Sequence, residues 1–170
     1  MKFLNKFLSI LIFLFISICP SYSEKPIAYI DIDFIIKNSN IGKKTLDTIN
    51  NQNNKNIKTL KQKEKILKDL EIQIANKKNI ISKEVFEKEV IIFKEKIAIF
   101  KEEQKKIVKN FNNFKKEEID KIFLKISPII NSYMEKNAIH ILFDAKNIFM
   151  ARNDLNLTDD LLKEINKEIK

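Results

Sequence analysis

The chain has one glycine, one cysteine, one histidine, three prolines and no tryptophan in 170 residues. A single glycine, Gly42, rules out a glycine-rich phosphate cradle, which needs several residues without a Cβ. A single histidine, His140, sits in the apolar run IHILF and cannot alone build a metal centre or a catalytic triad. The single cysteine, Cys19, lies in an N-terminal apolar run, so the sequence after it holds no thiol nucleophile and no disulfide. Asp31 and Asp33 could pair as carboxylates or ligate a cation, but no further ligands or glycines cluster with them. They read as a solvated strand end. Nothing else suggests an enzyme, a cofactor or a metal site. Asn156-Leu157-Thr158 matches a glycosylation sequon, with Thr158 also placed to N-cap a helix.

What is present begins with an export pattern. Lys2 and Lys6 precede an apolar run from Phe7 to Cys19, and Ser21-Tyr22-Ser23 supplies small residues before a cut after Ser23. The run is shorter than the ~20 residues a bilayer span requires. A lipoprotein signal would use Cys19, but it wants a small residue before the cysteine, and Ile18 stands there. Residues 1–23 are therefore expected to be a signal peptide, and the mature chain to be exported.

The formal charge is +9, unevenly spread. Residues 43–127 carry about +9, while 24–42 and 128–170 carry about −1 each. A basic middle joins two near-neutral ends.

IAYIDI, residues 27–32, reads as a buried strand after a proline. The loop NSNIG then ends at Gly42. Leu46, Asn53, Leu60, Leu67 and Ile74 recur every seven residues, with Ile49 and Leu70 three beyond members of that row. This is an a/d coiled-coil seam, interrupted at Asn53, Asn56 and Lys63. Asn79 to Ser82 reads as a tip, with Ser82 as the next N-cap. Phe86, Val90, Phe93, Ile97, Phe100, Gln104, Ile107, Phe111 and Phe114 then alternate four and three apart, a second seam. Two long helices joined by one short link pair antiparallel, so residues 43–127 are expected to form a projecting hairpin arm with its tip near 79–82.

Pro128 falls in a continuing helical pattern and is expected to kink it where the arm meets the body. IHILF (139–143) and IFMA (148–151) read as two further strands joined by DAKN, and a last helix follows Thr158. Residues 24–42 and 128–170 thus form a three-strand body with small helical pieces. The fold class is mostly α with a small β body. Roughly 60 residues make a marginal domain, and three strands leave open edges. Both problems are solved by oligomerisation, through Ile27, Tyr29, Ile30, Ile141, Phe143 and Ile148.

Ile72, Ile91, Ile92 and Ile99 lie off the seams, and Ile80 and Ile81 lie at the tip. Apolar residues on a solvated arm mark a client-binding surface, or else an isoleucine-rich composition. Lys58, Lys61, Lys94 and Lys101 on the arm offer attraction for acidic partners or anionic lipid headgroups, or else simply solvate a coiled coil. Nucleic acid fits poorly, because the phenylalanines occupy the seam rather than a stacking surface.

KPIAYIDIDFIIKNSNIGKK and ISPIINSYMEKNAIHILFDAKNIFMARNDLNLTDDLLKEI, the two ends of the mature chain, resemble the opening and closing segments of the Skp (OmpH-like) family of periplasmic chaperones. Asn156 stands where that family commonly has Asp, and Thr158 is retained. The resemblance implies a homotrimer in the periplasm, with a small central β-barrel and three arms around a cavity. It implies ATP-independent holding of unfolded outer-membrane β-barrel precursors, and it carries no catalytic residues. The alternative function is a structural coiled-coil protein of the envelope, binding one folded partner or the membrane surface.

Overall fold

The computed structural model describes residues 27–169. The signal-peptide reading of residues 1–23, with Cys19, falls outside them. β1 spans Ile27–Ile30, shorter than expected. Asp31 ends it, because its carboxylate accepts the Phe34 N–H at 2.9 Å and caps α1, Ile32–Asn38. A local cap outcompetes two more residues of strand. β1 is also one-sided: Ala28 and Ile30 are buried while Ile27 is exposed.

NSNIG is not a loop. Ser39 alone separates α1 from α2, Asn40–Lys77. Its N–H donates to the Ile35 carbonyl at 2.8 Å, ending one helix, and its Oγ accepts the Gly42 N–H at 3.1 Å, starting the next. The fully buried corner presses α2 against α1, and Gly42 is the residue that permits it.

Residues 78–82 connect α2 to α3, Lys83–Lys136, which Ser82 caps through the Val85 N–H at 3.4 Å. The helices are 38 and 54 residues long, or ~57 and ~81 Å at 1.5 Å per residue. α3 stays one helix through Pro128. The proline removes the bond to the Leu124 carbonyl, but Leu124 and Pro128 are both exposed, so water can replace it. α3 ends in a Schellman turn. Ala138 adopts φ 53, and the Ile139 N–H donates to the Met134 carbonyl at 2.9 Å.

β2, Ile141–Asp144, lies parallel to β1, Ile27 opposite Ile141 and Ile30 opposite Asp144. The whole hairpin is thus an extended crossover between two parallel strands. The expected third strand at 148–151 does not form within the chain. Asp144 instead opens a 3-10 turn, Ala145–Asn147, by accepting the Lys146 N–H at 3.2 Å. That turn does not fold the following residues back onto β2, and Phe149 and Met150 face solvent.

A second 3-10 turn, Asn153–Leu155, leads back to β1, where Asn156 bridges to Tyr29 and the Leu157 N–H donates to the Tyr29 carbonyl at 3.0 Å. α4, Thr158–Glu168, follows. Thr158 is not its N-cap but its first helical residue. Asn156 accepts the Thr158 N–H at 3.0 Å and its hydroxyl at 2.6 Å, and the Thr158 Oγ accepts the Asp31 N–H at 2.9 Å. The threonine therefore ties the two ends of the fold together. Ile30, Ile35, Ile122, Ile126, Leu161 and Ile165 make the centre of one core, buried where β1, α1, the base of α3 and α4 meet.

Candidate binding surfaces on the arm and the body

The seam residues of α2 are buried or half-buried, including the polar Asn53, Asn56 and Lys63. On α3 the apolar members of the second row are half-buried as expected, but Gln104 is exposed. Glu103 takes the inner place and pairs with Lys63 at 2.5 Å. The neighbouring glutamate gives this half-exposed seam lysine a counter-charge. Two heptads further out, Lys77 pairs with Glu89 at 2.8 Å. Both cross-links fit the antiparallel register that the two seams set.

In heptad terms, positions g and c border the seam on one flank of the arm, and e and b on the other. The g flank carries Ile66 on α2 and the row Val85, Ile92 and Ile99 on α3, all exposed. Ile66 and Ile99 face each other across an apolar groove, with Leu67, Leu70 and Phe100 at its floor. Lys63–Glu103 and Lys77–Glu89 pair within this flank. Lys61, Lys94 and Lys101 lie at b and e on the opposite flank, and Lys58 on the back at f; all four are exposed.

The off-seam isoleucines therefore do not form one surface. Ile92 and Ile99 share the g flank, Ile91 at b faces the other flank, and Ile72 at f is on the back, all exposed. At the tip, Ile80 is exposed and Ile81 half-buried. Ile66 was not among the expected contacts. Its spacing from Ile99 is visible only once the helices are set in register.

On the body, Ile27, Ile141 and Phe143 are exposed and Tyr29 and Ile148 half-buried, while Ile30 lies in the chain's own core. Phe34, Phe149 and Met150 add to the exposed apolar residues. The outer edge of β2 has no strand beside it among the described residues. Lys146 pairs with Asp33 at 2.6 Å, holding the 3-10 turn against α1. The lysine hydrogen bond keeps the Asp33 carboxyl below its ordinary pKa, and Asp33 in turn raises Lys146. His140 is exposed. Among the described residues no three His, Cys, Asp or Glu side chains gather as metal ligands, and no helix is long and apolar enough to cross a membrane.

A long antiparallel hairpin inserted between two parallel strands defines the class: a coiled-coil arm on a small α/β base. The family model described as outer membrane protein (OmpH-like) matches residues 26–165, and the chain belongs to that family. Among solved structures it is similar to a protein of Caulobacter crescentus assigned as an OmpH-like outer membrane chaperone. The TM-score is 0.76 at 13% identity, over 85% of this chain and 86% of that one, a likeness of fold. No curated protein matches the chain.

Proposed function

We propose that the chain is an exported, ATP-independent holdase chaperone of the periplasm, whose arms keep unfolded outer-membrane β-barrel precursors from aggregating. Its membership of the OmpH-like family and its likeness to a protein assigned as an outer membrane chaperone support a chaperone role. The observation that carries the reading is the exposed apolar residues of a Lys-rich, solvated arm, with Ile66, Ile92 and Ile99 gathered on one flank and Ile57, Ile91 and Val108 on the other. Such an arm grips exposed apolar segments by many weak contacts. Lys58, Lys61, Lys94 and Lys101 draw acidic clients in and give the arm an affinity for anionic lipid headgroups.

The assembly is a homotrimer joined through the bodies. Ile27, Ile141, Phe143, Phe149 and Met150 are too much exposed apolar surface for so small a body to leave in water. The open edge of β2 can take residues 148–151 of a neighbour as an added strand, closing a small barrel. Three arms then surround a cavity.

The test is aggregation of several unrelated unfolded β-barrel proteins diluted from denaturant, with and without the mature chain and without ATP, alongside the mass of the complex. Suppression for all clients, with one client per trimer, is expected. Binding only to one folded partner would instead assign a structural envelope role.

A further inference from the structure

The two seams of the arm do not match in chemistry at every level. Between Ile49 and Leu60, Asn53 and Asn56 hold the seam places of α2. The register brings Phe111 and Phe114 of α3 to that level, and both stay half-buried although they lie in the seam. The result is a cleft of about 260 Å³ lined by Gln52, Asn56, Ile107, Asn110, Phe111 and Phe114. Gln52 Nε2 donates to Asn56 Oδ1 at 3.0 Å along α2. Among the described residues no side-chain hydrogen bond crosses to α3 at this level, whereas Lys63–Glu103 and Lys77–Glu89 cross further out. The cleft thus combines one aliphatic and two aromatic walls with three amides that have hydrogen-bonding capacity to spare.

Size and chemistry narrow what fits. Pockets for whole small-molecule ligands run from about 300 to 1,000 Å³, so this cleft suits one side chain of a longer chain. An aliphatic or phenylalanine occupant would take water from the amides without replacing its hydrogen bonds, which is costly. A tyrosine hydroxyl both donates and accepts, so it pairs with an amide while its ring covers the phenylalanines. We propose that the cleft is a tyrosine-binding subsite. It takes the tyrosine side chain of an unfolded segment, with the ring against Phe111 and Phe114 and the hydroxyl among the amides of Gln52, Asn56 and Asn110. Gln52 and Asn110 are g positions, so the cleft opens on the flank that bears the Ile66–Ile99 groove. Cleft and groove lie about 12 helical residues apart, or ~18 Å. An extended segment spans that with about five or six residues. One such segment therefore seats an aliphatic side chain in the groove and a tyrosine in the cleft. The source of the tyrosine rests on the chaperone reading above. Membrane β-barrels carry girdles of aromatic residues at both interfaces, near the two ends of strands about ten residues long.

The test titrates N-acetyl-tyrosinamide into the full mature chain and follows the Gln52, Asn56 and Asn110 side-chain amides and the Phe111 and Phe114 rings by NMR. N-acetyl-phenylalaninamide and N-acetyl-leucinamide are the comparators. Shifts confined to the cleft are expected, with the tyrosine compound about threefold tighter than the phenylalanine one and the leucine one weaker still. Asn56→Leu completes the seam over the two phenylalanines and closes the cleft. It should abolish the shifts while helicity holds and the melting temperature rises. Asn110→Ala removes one amide and should narrow the gap between tyrosine and phenylalanine. Equal shifts from all three compounds, or none at the cleft, would overturn the subsite. Release of an unfolded β-barrel client is measured on the same proteins. Asn56→Leu should speed it about three- to tenfold. The same client with its tyrosines changed to leucine should leave wild type and Asn56→Leu at one common, faster rate. A tyrosine-bearing client that leaves Asn56→Leu no faster than wild type would overturn the subsite and leave the chaperone reading standing. A chain that takes N-acetyl-tyrosinamide in the cleft but holds no unfolded client removes the chaperone reading and supports the subsite.

Discussion

Gly42 packs directly against the backbone carbonyl of Ile36, and a Cβ at residue 42 would overlap that oxygen. The chain's only glycine is thus spent in a helix, where glycine is normally unfavourable. It is there because Ser39 turns the chain between two helices within one residue. Gly42→Ala should force α1 and α2 apart at the centre of the body and cost about 1–3 kcal/mol, as overpacking of a tight interior does. Thermal denaturation of the mature protein checks this. An alanine variant that melts with wild type would mean the corner relaxes freely.

Ala138 presents the opposite case, an L-residue in a left-handed conformation that glycine would take without strain. Ala138→Gly should raise stability by about 1 kcal/mol, the steric cost of αL for a residue with a Cβ. Some of that gain is offset by the freer unfolded chain. The midpoint of urea unfolding should move up with no change in slope.

Both seams were legible because they rest on a seven-residue period, whereas the parallel pairing of the two ends was not. Every apolar residue predicted for the α3 seam is turned inward. Misreadings fell where a local side-chain bond decided between alternatives of similar energy. Asp31 converted the end of a strand into a helix cap, and Ser39 converted a loop into a corner. The sequence IFMA has strand composition, but the 3-10 turn at Ala145–Asn147 does not fold it back onto the open edge of β2. Register was the other gap. Ile66 and Ile99 are 33 positions apart in the sequence and share a groove only once the two seams are set in register.

The Asp33–Lys146 pair should make the junction of β2 and α1 sensitive to acid. Asp33 has a folded pKa below its ordinary 3.8, chiefly through the hydrogen bond from Lys146. A depressed carboxylate contributes stability that is complete above its unfolded pKa and is lost as pH falls through the folded value. The effect is therefore confined to pH below about 4, and because the pair is solvent-exposed it should shrink with salt. Carboxyl NMR titration should show Asp33 moving back towards 3.8 in Lys146→Met. An unchanged Asp33 titration would remove the pair as the cause.

Two strand substitutions should separate folding from assembly. Ile30 is 2% exposed and Phe143 is 43% exposed. Ile30→Asp buries an unpaired charge in the chain's own core and should unfold the body. Phe143→Asp lies on the exposed face of β2 and should dissociate the oligomer while leaving a helical, folded chain. Sedimentation and circular dichroism on both variants give the answer. A Phe143→Asp protein with unchanged mass would place the contact between copies elsewhere.

Capture and holding should fail separately when the two flanks are changed in turn. Lys61, Lys94 and Lys101 border one flank and Lys58 the back, all in water, where charge acts at long range and is screened beyond about 8–10 Å near physiological salt. Replacing the four with Gln should slow association with an acidic unfolded client, less so as salt rises, and should change dissociation little. Ile66, Ile92 and Ile99 act only on contact. Replacing them with Ser should mainly speed release, with weak salt dependence, and should leave helicity and assembly mass intact because all three lie outside the seam. Ile91→Ser is the internal control. It removes the same side chain one residue away, on the other flank, and should have a smaller effect on release. Phe93→Ser, in the seam, should lower the arm's thermal stability as well. Stopped-flow binding at two salt concentrations separates these outcomes. If Ile91→Ser and Ile92→Ser release clients alike, the arm grips without a preferred side. If neither differs from wild type, the exposed isoleucines reflect composition alone.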